Sequence, residues 1–431
     1  MRVIGPVGAV AVVAGSMLGI GIFLTPPLVA AAAPSAAWFY GLWLAGGLVA
    51  LSGALVYAQL GAMRPEAGGD VIFQRAALGP AVAGASGAVM FSLAFAGSLA
   101  AMAAAVCQYQ LATVTGLDLS LPLLGIPRYQ LAGMVVVLAL TGLNVLSVRL
   151  TSWAQTALTA VPMVLLIGLS VWGLVGEGAG GGMVEAPTGL LKAWMAIYFT
   201  YAGWPAVIYV AGEVRDPDRS LPVGLIGGTA LITALYLLLC MAMVHVLGMP
   251  GLAGAGESGS AMAAVLLPNG AVIMSGLVAL ALLASINGTA LGGARVALAM
   301  AQQGVLPAAL AARTGGVPTR ALWVQAGIAC LLLLTGGFST ILSITTLAMM
   351  LIGSLTVISA LILHARGERG SFSAPLWPLP ALVYLTSSLA AVVLLVLQSD
   401  GLLEPLLGVI AFVVVAGLLA IRGRSEALSK P

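Results

Sequence analysis

Gly15-Ser16-Met17-Leu18-Gly19-Ile20-Gly21-Ile22-Phe23 lies in the middle of the first long apolar segment of the chain. The three glycines of this stretch weaken a helix, because each costs about 1 kcal/mol relative to alanine in a helix interior. Inside a bilayer, the backbone N–H and C=O groups of a broken helix need polar partners. Two interpretations are open: the break lines a polar cavity that holds a charged ligand, or Gly15 and Gly19 form a small-residue contact with a neighbouring helix.

The composition indicates a polytopic membrane protein. Of the 431 residues, 61% are hydrophobic and 7% are charged, whereas about a quarter of the residues in a soluble domain are charged. The three cysteines, Cys107, Cys240 and Cys330, lie in apolar runs. This placement is typical of small buried side chains, so we expect no disulfide, no metal site and no cofactor. Nothing in the sequence indicates a nucleic-acid partner.

Apolar runs long enough to cross a bilayer, each of about 20 to 28 residues, divide the chain into twelve predicted spans. They cover residues 6–31, 36–62, 82–113, 129–147, 151–175, 190–213, 221–247, 270–299, 319–337, 340–364, 376–398 and 402–422. The sequence therefore predicts an all-α polytopic protein.

The basic residues test this count, because cytoplasmic loops of membrane proteins are enriched in arginine and lysine. With a cytoplasmic N-terminus, fourteen basic residues fall inside and only Arg128 and Lys192 fall outside. The inside residues are Arg2, Arg64, Arg75, Arg149, Arg215, Arg219, Arg295, Arg313, Arg320, Arg366, Arg369, Arg422, Arg424 and Lys430. We therefore predict a multi-pass protein of the cell (inner) membrane with both termini in the cytoplasm.

The acidic residues show the opposite pattern, since none of the thirteen lies near the centre of a predicted span. An intramembrane carboxylate is typical of a proton relay or a cation site, so the sequence argues against both. His245 and His364 lie toward the ends of spans, where a solvated or interfacial histidine is favoured over a relay.

The sixth predicted span repeats the interruption of the first. Its segment 196–205, Ala-Ile-Tyr-Phe-Thr-Tyr-Ala-Gly-Trp-Pro, places Gly203 and Pro205 at mid-membrane. Proline removes a helix hydrogen bond and clashes with the preceding turn, so the helix should kink or open just before Pro205. Interrupted segments at corresponding positions of two inverted halves point to the central site of a transporter, and a simple proline kink is the alternative.

Four stretches resemble the amino acid–polyamine–organocation (APC) superfamily, and within it the bacterial relatives of the L-type amino acid transporters. They are residues 15–23, 57–70, 199–222 and 287–307. Residues 15–23 resemble the first helix of the family. Residues 199–222 resemble the sixth helix and the loop after it, and residues 287–307 resemble the eighth helix and its cytoplasmic extension. The second runs from Tyr-Ala-Gln-Leu-Gly to Pro-Glu-Ala-Gly-Gly-Asp and resembles the Y-x-E-L-x…P-x-x-G-G loop, with Gln59 in place of the usual acid.

The resemblance implies a LeuT-like 5+5 inverted-repeat fold with two additional C-terminal helices. It divides the chain into a first repeat at 1–175, an inverted second repeat at 186–366, and the added helices with a short tail at 371–431. It also implies alternating access around a mid-membrane amino acid site. Helix-end chemistry supports such a site independently. Free N–H groups at the start of a half-helix can bind a carboxylate, and the carbonyl groups of an unwound segment can bind an ammonium group.

The resemblance further implies that backbone amides near Ile20 and Gly21 hold the substrate α-carboxylate. Carbonyls near Met17 and at Phe199 and Ala202 would meet the α-amino group. The predicted substrate site comprises Ser16, Met17, Gly19, Ile20, Gly21, Phe199, Tyr201, Ala202, Gly203 and Asn287. Phe199 corresponds to an aromatic gate of the family, and core packing is the alternative. Asn287 either contacts the substrate or orders the first break, or it forms an interhelical hydrogen bond without a ligand.

A second gate is predicted in the loop that follows the sixth span. Glu213 could latch the inward gate through a basic residue such as Arg295. The alternative is a solvated hinge, with Ser220 as a helix cap and Pro222 in the first turn of the seventh span.

Two departures from the family bear on coupling and specificity. Ala160 stands in the fifth span where relatives carry a lysine. A cation could instead bind first-span carbonyls together with Ser285 and Thr289, but hydroxyls without a carboxylate compensate its charge poorly. We therefore predict an exchanger or facilitator that is unaffected by Na⁺ or proton gradients. A Na⁺- or H⁺-coupled symporter and an amino acid exporter are the alternatives.

The second departure is that the pocket-facing stretches offer no acid or base. Their residues are small, apolar or hydroxylated: Ala94, Ser98, Tyr201, Ala202, Thr345 and Thr346. A neutral amino acid is therefore the predicted substrate, with no obligate partner subunit. A channel would show a polar pore stripe or a filter sequence, and an enzyme would need catalytic side chains within the spans; the sequence shows neither.

Overall fold

The structure is a computed structural model that describes residues 4–66, 68–146, 164–165, 167–176, 178–179, 189–302, 304–314 and 316–398. Nearly all of these residues are helical. In chain order the helices are α1 (Pro6–Met17), α2 (Gly21–Ala32), α3 (Ala36–Met63), α4 (Asp70–Leu78), α5 (Pro80–Thr115), α6 (Arg128–Leu146), α7 (Leu190–Tyr201), α8 (Ala206–Tyr209), α9 (Pro217–Ala253), α10 (Ser258–Leu266), α11 (Gly270–Gln302), α12 (Thr319–Thr335), α13 (Phe338–Ala365) and α14 (Leu379–Gln398). An antiparallel hairpin of β1 (Pro122–Leu123) and β2 (Ile126–Pro127) precedes α6.

Helices fill the predicted spans one to four and six to eleven. Within the described residues, six helices are long and apolar enough to cross a membrane, and α1 with α2 forms a further, bent span. The predicted fifth span is described only from residue 164, and the twelfth lies outside the described residues. The protein is therefore a polytopic helical membrane protein, and the division into repeats at 1–175, 186–366 and 371–431 stays a prediction.

Both predicted interruptions are confirmed. α1 and α2 meet at an angle of 53° across residues 18–20, called here the first break, where Leu18 has an extended backbone. α7 ends at Tyr201, and residues 202–205, the second break, separate it from α8. Gly203 has φ +102° there, a conformation that glycine adopts without steric cost. The combination of glycine with a following proline opens the helix, as the sequence predicts.

The outer surface is apolar, as expected for a protein solvated by lipid tails. Large hydrophobic side chains are exposed on several helices, among them Trp38, Leu48, Val135, Leu331 and Leu389. Polar side chains buried among the helices form hydrogen bonds to neighbouring backbone, such as Tyr201 to the carbonyl oxygen of Trp43. The helices thus expose large apolar side chains on the outer surface, where a soluble protein would expose polar ones.

Three local features differ from the sequence-based expectation. The seventh span begins at Pro217 after Asp216, and not near residue 221, so Ser220 lies inside the helix and is not its cap. Gly248, with φ +67°, interrupts α9 near its end. The loop after the second span folds into α4, which packs inside the protein with Asp70, Phe73 and Gln74 buried.

Candidate functional site

A cavity of about 940 Å³ lies between the two breaks. Both breaks contribute backbone to its wall, and α5, α11 and α13 contribute side chains. Of the predicted site residues, those on the wall are Ser16, Met17, Gly19, Ile20, Gly21, Phe199, Ala202, Gly203, Ser285, Thr289, Glu213 and Arg295. Tyr201 and Asn287 are buried behind the wall, and Ala160 lies outside the described residues.

The two breaks touch each other. A Cβ atom on Gly203 would lie 2.4 Å from the carbonyl oxygen of Ser16, so only glycine allows this approach. The buried hydroxyl of Tyr236, on α9, bridges the breaks by donating to the carbonyl oxygen of Met17 at 2.6 Å and to that of Thr200 at 3.3 Å. The sequence analysis missed Tyr236, although an isolated phenol within an apolar span signals that its hydroxyl needs a buried partner.

Backbone groups suited to a zwitterion meet at this point. At the start of α2, Phe23 and Leu24 donate to the carbonyl oxygen of Ile20. The N–H groups of Gly21 and Ile22 come before these bonds and lie at the positive end of the helix dipole. On the other side, the carbonyl oxygen of Met17 accepts from Tyr236 and that of Phe199 accepts from the N–H of Ala202 at 3.0 Å. Each carbonyl oxygen retains a second lone pair for an ammonium.

One end of the cavity is closed by side-chain hydrogen bonds. The hydroxyls of Thr25 on α2 and Thr200 on α7 lie 2.7 Å apart, and both residues are buried. Ser258 on α10 donates to the carbonyl oxygen of Phe23 at 2.8 Å. Gly21 packs directly on Thr200, because its Cβ position lies 2.4 Å from the threonine hydroxyl. These contacts pack α2 directly against α7 and α10 at this end.

The opposite end is open. Val7, Glu213 and Arg295 line the cavity here and are exposed to solvent. Glu213 and Arg295 do not form an ion pair, and the one salt bridge among the described residues joins Arg64 to Glu368 at 2.8 Å. The predicted latch is therefore not closed in this structure. With the predicted orientation, the open end faces the cytoplasm.

Other predicted site residues take up separate positions around the first break. Ser285 on α11 donates to the carbonyl oxygen of Leu18 at 3.4 Å, and Thr289 lies one turn further along the same helix.

Phe199 lines the cavity and is half-buried. Asn287 is buried, and its side-chain oxygen has no hydrogen-bond partner. Thr345 and Thr346 are buried away from the cavity, whereas Ala94 and Ser98 line it.

The expectation that no acid or base faces the cavity is wrong. Besides Glu213 and Arg295 at the open end, Asp70 at the start of α4 belongs to the wall while its residue is only 1% exposed. Burial raises the pKa of its carboxyl group, and hydrogen bonds from neighbouring hydroxyls partly oppose this shift. The sequence placed Asp70 in a cytoplasmic loop; its burial results from the docking of α4, which no local pattern reveals.

Known proteins that are similar to this chain are named as amino acid transporters or exchangers. The sequence model of the family described as Amino acid permease matches residues 4–423. The serine/threonine exchanger SteT of Bacillus subtilis (strain 168) is 24% identical over 416 residues, which is 89% of each chain. The b(0,+)-type amino acid transporter 1 of Mus musculus is 27% identical over 253 residues, covering 57% of this chain and 51% of that protein. The large neutral amino acids transporter small subunit 2 of Homo sapiens is 27% identical over 320 residues, covering 72% and 59%.

Proposed function

The chain belongs to the amino acid permease family of the APC superfamily, and from this premise we propose that it carries neutral L-amino acids across the membrane by alternating access. It is a transporter and not an enzyme, as are its relatives. In this proposal, the N–H groups at the start of α2 bind the substrate α-carboxylate. The carbonyls of the first and second breaks bind the α-amino group.

The observation that carries this proposal is the contact between the two breaks in the wall of one cavity. A helix N-terminus attracts an anion, and unwound carbonyls attract a cation. Gly203 lies directly against Ser16, and Gly21 at the start of α2 lies directly against Thr200, so the α2 N-terminus and the carbonyls of both breaks line the same cavity. A cavity of about 940 Å³ also leaves room for the side chain.

A neutral side chain fits the wall beside the breaks. α5 and α13 contribute apolar or hydroxyl groups there: Met90, Ala94, Ser98, Met102, Met349 and Ile352. A charged substrate side chain among these six residues would lose hydration without gaining a partner. Asp70 is already bonded to three hydroxyls, and Glu213 and Arg295 lie at the open end. The names of two relatives, a serine/threonine exchanger and a large neutral amino acids transporter, favour the same class.

Neutral amino acids should therefore compete with one another for uptake, whereas arginine, lysine and glutamate should not. We expect at least tenfold weaker inhibition by the charged amino acids, because an unpaired charge in the pocket costs well over 1.4 kcal/mol. Uptake of one radiolabelled neutral amino acid into proteoliposomes, measured against a panel of competitors, provides the test. Potent inhibition by lysine or arginine would contradict the neutral assignment.

The mode of transport that we propose is exchange or facilitated movement without Na⁺. The first-break carbonyl of Leu18 already accepts a hydrogen bond from Ser285, and no carboxylate is among the predicted ion-binding groups, Ser285 and Thr289, so a metal ion's charge would be poorly compensated. The family relative SteT is named as an exchanger.

Proteoliposomes loaded with unlabelled amino acid test this mode. Exchange against external labelled amino acid should proceed at equal rates in Na⁺, K⁺ or choline media. Purified chain alone should support it, since we propose that no partner subunit is obligatory; one relative, by contrast, is by name a small subunit. Accumulation that appears only with a Na⁺ gradient would instead establish a symporter.

The proposed orientation in the cell membrane, with both termini in the cytoplasm, has its own test. Leu124, in the hairpin before α6, is 93% exposed and is predicted outside. Thr314, in the loop before α12, is exposed and predicted inside. In a background without native cysteines, an impermeant thiol reagent added to intact cells should label Leu124→Cys and spare Thr314→Cys. The reverse labelling would invert the topology.

A further inference from the structure

Asp70 is a buried carboxylate that the transport scheme above does not use. It accepts hydrogen bonds from hydroxyls on three other helices. Tyr57 on α3 donates to one carboxylate oxygen, Thr356 on α13 donates to the same oxygen at 2.8 Å, and Tyr209 on α8 donates to the other at 3.0 Å. No other acidic side chain among the described residues joins so many helices at the cavity wall.

Among the described residues, the groups that stabilise this carboxylate are hydroxyls and its own backbone N–H, and no cation is one of them. The titratable groups that face it are the hydroxyls of Tyr57 and Tyr209, with Tyr384 on α14 and Tyr198 on α7 further away. On its own helix, Arg75 is exposed. The charge of Asp70 therefore depends on three hydroxyl donors and on its own backbone N–H, and the loss of one hydroxyl donor makes protonation easier.

Two of the three donors, Tyr57 and Thr356, lie on the long helices α3 and α13, which pack against α4. Gln74, also on α4, donates to Thr356 at 2.9 Å and to the carbonyl oxygen of Ile352 at 3.1 Å, which joins α4 to α13 a second time. Tyr57 lies on the long, unbroken α3. These contacts hold α4 against α3 and α13 independently of α8.

The third donor lies on an element that can move separately. Tyr209 is the last residue of the four-residue helix α8, which the second break separates from α7. Tyr209, Val210 and Glu213 line the open end of the cavity. To close this end, the segment after the second break must move, and the Tyr209–Asp70 hydrogen bond is the side-chain bond that holds it to α4.

We propose that Asp70 is a proton-binding site that is linked to the movement of α8: it is ionised while Tyr209 donates to it, and it binds a proton when Tyr209 leaves. The ligand is a proton, exchanged with water in the cavity that Asp70 lines. This inference rests on the proposed alternating access.

The sign of the pH effect follows from the number of donors. In the open state described here, three donors stabilise the carboxylate; in the closed state, two remain. Asp70 therefore has the lower proton affinity in the open state, so rising pH favours that state and falling pH favours closure. The loss of one charge-assisted hydrogen bond corresponds to about a tenfold or larger change in proton affinity.

The test compares the pH profile of amino acid exchange for four proteins in proteoliposomes with equal pH on both sides. Wild type should change rate several-fold across its midpoint between about pH 5 and 9. Asp70→Asn, which cannot ionise, should lose this dependence. Tyr209→Phe leaves the same two hydroxyl donors in both states, so the proton affinities no longer differ and the pH dependence should be lost here as well. Asp118→Asn, which alters an exposed acid in the loop before β1, should match wild type.

A second measurement needs no transport. The labelling rate of Val7→Cys at the open end, measured with a thiol reagent, is divided by the labelling rate of the double variant Val7→Cys with Asp70→Asn. This labelling ratio cancels the intrinsic ionisation of the thiol. It should rise with pH, because rising pH favours the open state only when Asp70 can ionise. A wild-type pH profile in Tyr209→Phe or in Asp70→Asn, or a pH-independent labelling ratio, would overturn the proposal. None of these outcomes would contradict the proposed amino acid transport. If the wild type exchanges no amino acid but its labelling ratio still depends on pH, the transport proposal is contradicted and the proton site is supported.

Discussion

Gly203→Ala should reduce amino acid exchange to background. Gly203 has φ +102°, and an alanine held there costs about 1–3 kcal/mol of backbone strain. Its Cβ would also lie 2.4 Å from the carbonyl oxygen of Ser16 and 2.8 Å from the carbonyl carbon. Because both neighbours are backbone atoms, the two breaks must separate, and the groups proposed to bind the two ends of one amino acid would no longer face each other.

Gly304→Ala is the matched control for this prediction. Gly304 also has positive φ, at +73°, but nothing lies within 4 Å of its Cβ position, so this variant introduces the strain without the clash. It should exchange at close to the wild-type rate with a modest loss of thermal stability. If Gly203→Ala exchanges as well as Gly304→Ala, the contact between the breaks is not needed for transport.

Gly19→Val should abolish substrate binding while the protein still folds. A Cβ on Gly19 would meet only the carbonyl oxygen of Met17, at 4.0 Å, so a side chain here fits within the cavity without displacing the protein. Valine would occupy the space beside the N-terminus of α2 and restrict the backbone of the break. We expect a loss of affinity of at least a hundredfold, measured as the disappearance of ligand-induced thermal stabilisation.

Gly41→Val, on the exposed surface of α3 with no atom within 4 Å of its Cβ position, controls for the added side chain. It should retain both elution volume and ligand response. Ligand stabilisation of Gly19→Val equal to that of Gly41→Val would show that the first break is a packing feature and not a binding site.

Gly21→Val is a poorer test than the sequence suggests. From the sequence, Gly21 faces a cavity, so its replacement should leave folding intact. In the structure, its Cβ position lies 2.7 Å from the Cα atom of Thr200, so valine would push apart the closed end between α2 and α7. The expectation of intact folding is therefore wrong, and Gly19 replaces Gly21 as the informative position.

The interruptions of the first and sixth spans could be predicted because their cause is local. Glycine and proline weaken a helix through their own backbone chemistry, wherever the helix lies. Both breaks follow from that signal, whereas the assignment of individual site residues within them came from the resemblance to a known family. Resemblance to a known family supplied the expectation that the two breaks meet.

Contacts between distant residues could not be predicted in the same way. A span that is apolar on every face carries no periodicity that shows which side meets the cavity, so Tyr201 and Asn287 were expected on the wall and lie behind it. The burial of Asp70 depends on contacts with α3, α8 and α13 that are far away in sequence. Tyr236 acquires its role only when both breaks are present.

The central claim is that backbone groups of the two breaks bind the α-carboxylate and α-amino group of an amino acid. It is tested most directly by thermal-shift titration of the purified protein, first with the twenty amino acids and then with derivatives of the best ligand. One derivative carries an amide in place of the carboxylate, and the other lacks the amino group. The account predicts stabilisation that grows with ligand concentration for the amino acid and none for either derivative. Equal stabilisation by a derivative that keeps the side chain but lacks either charged group would contradict it.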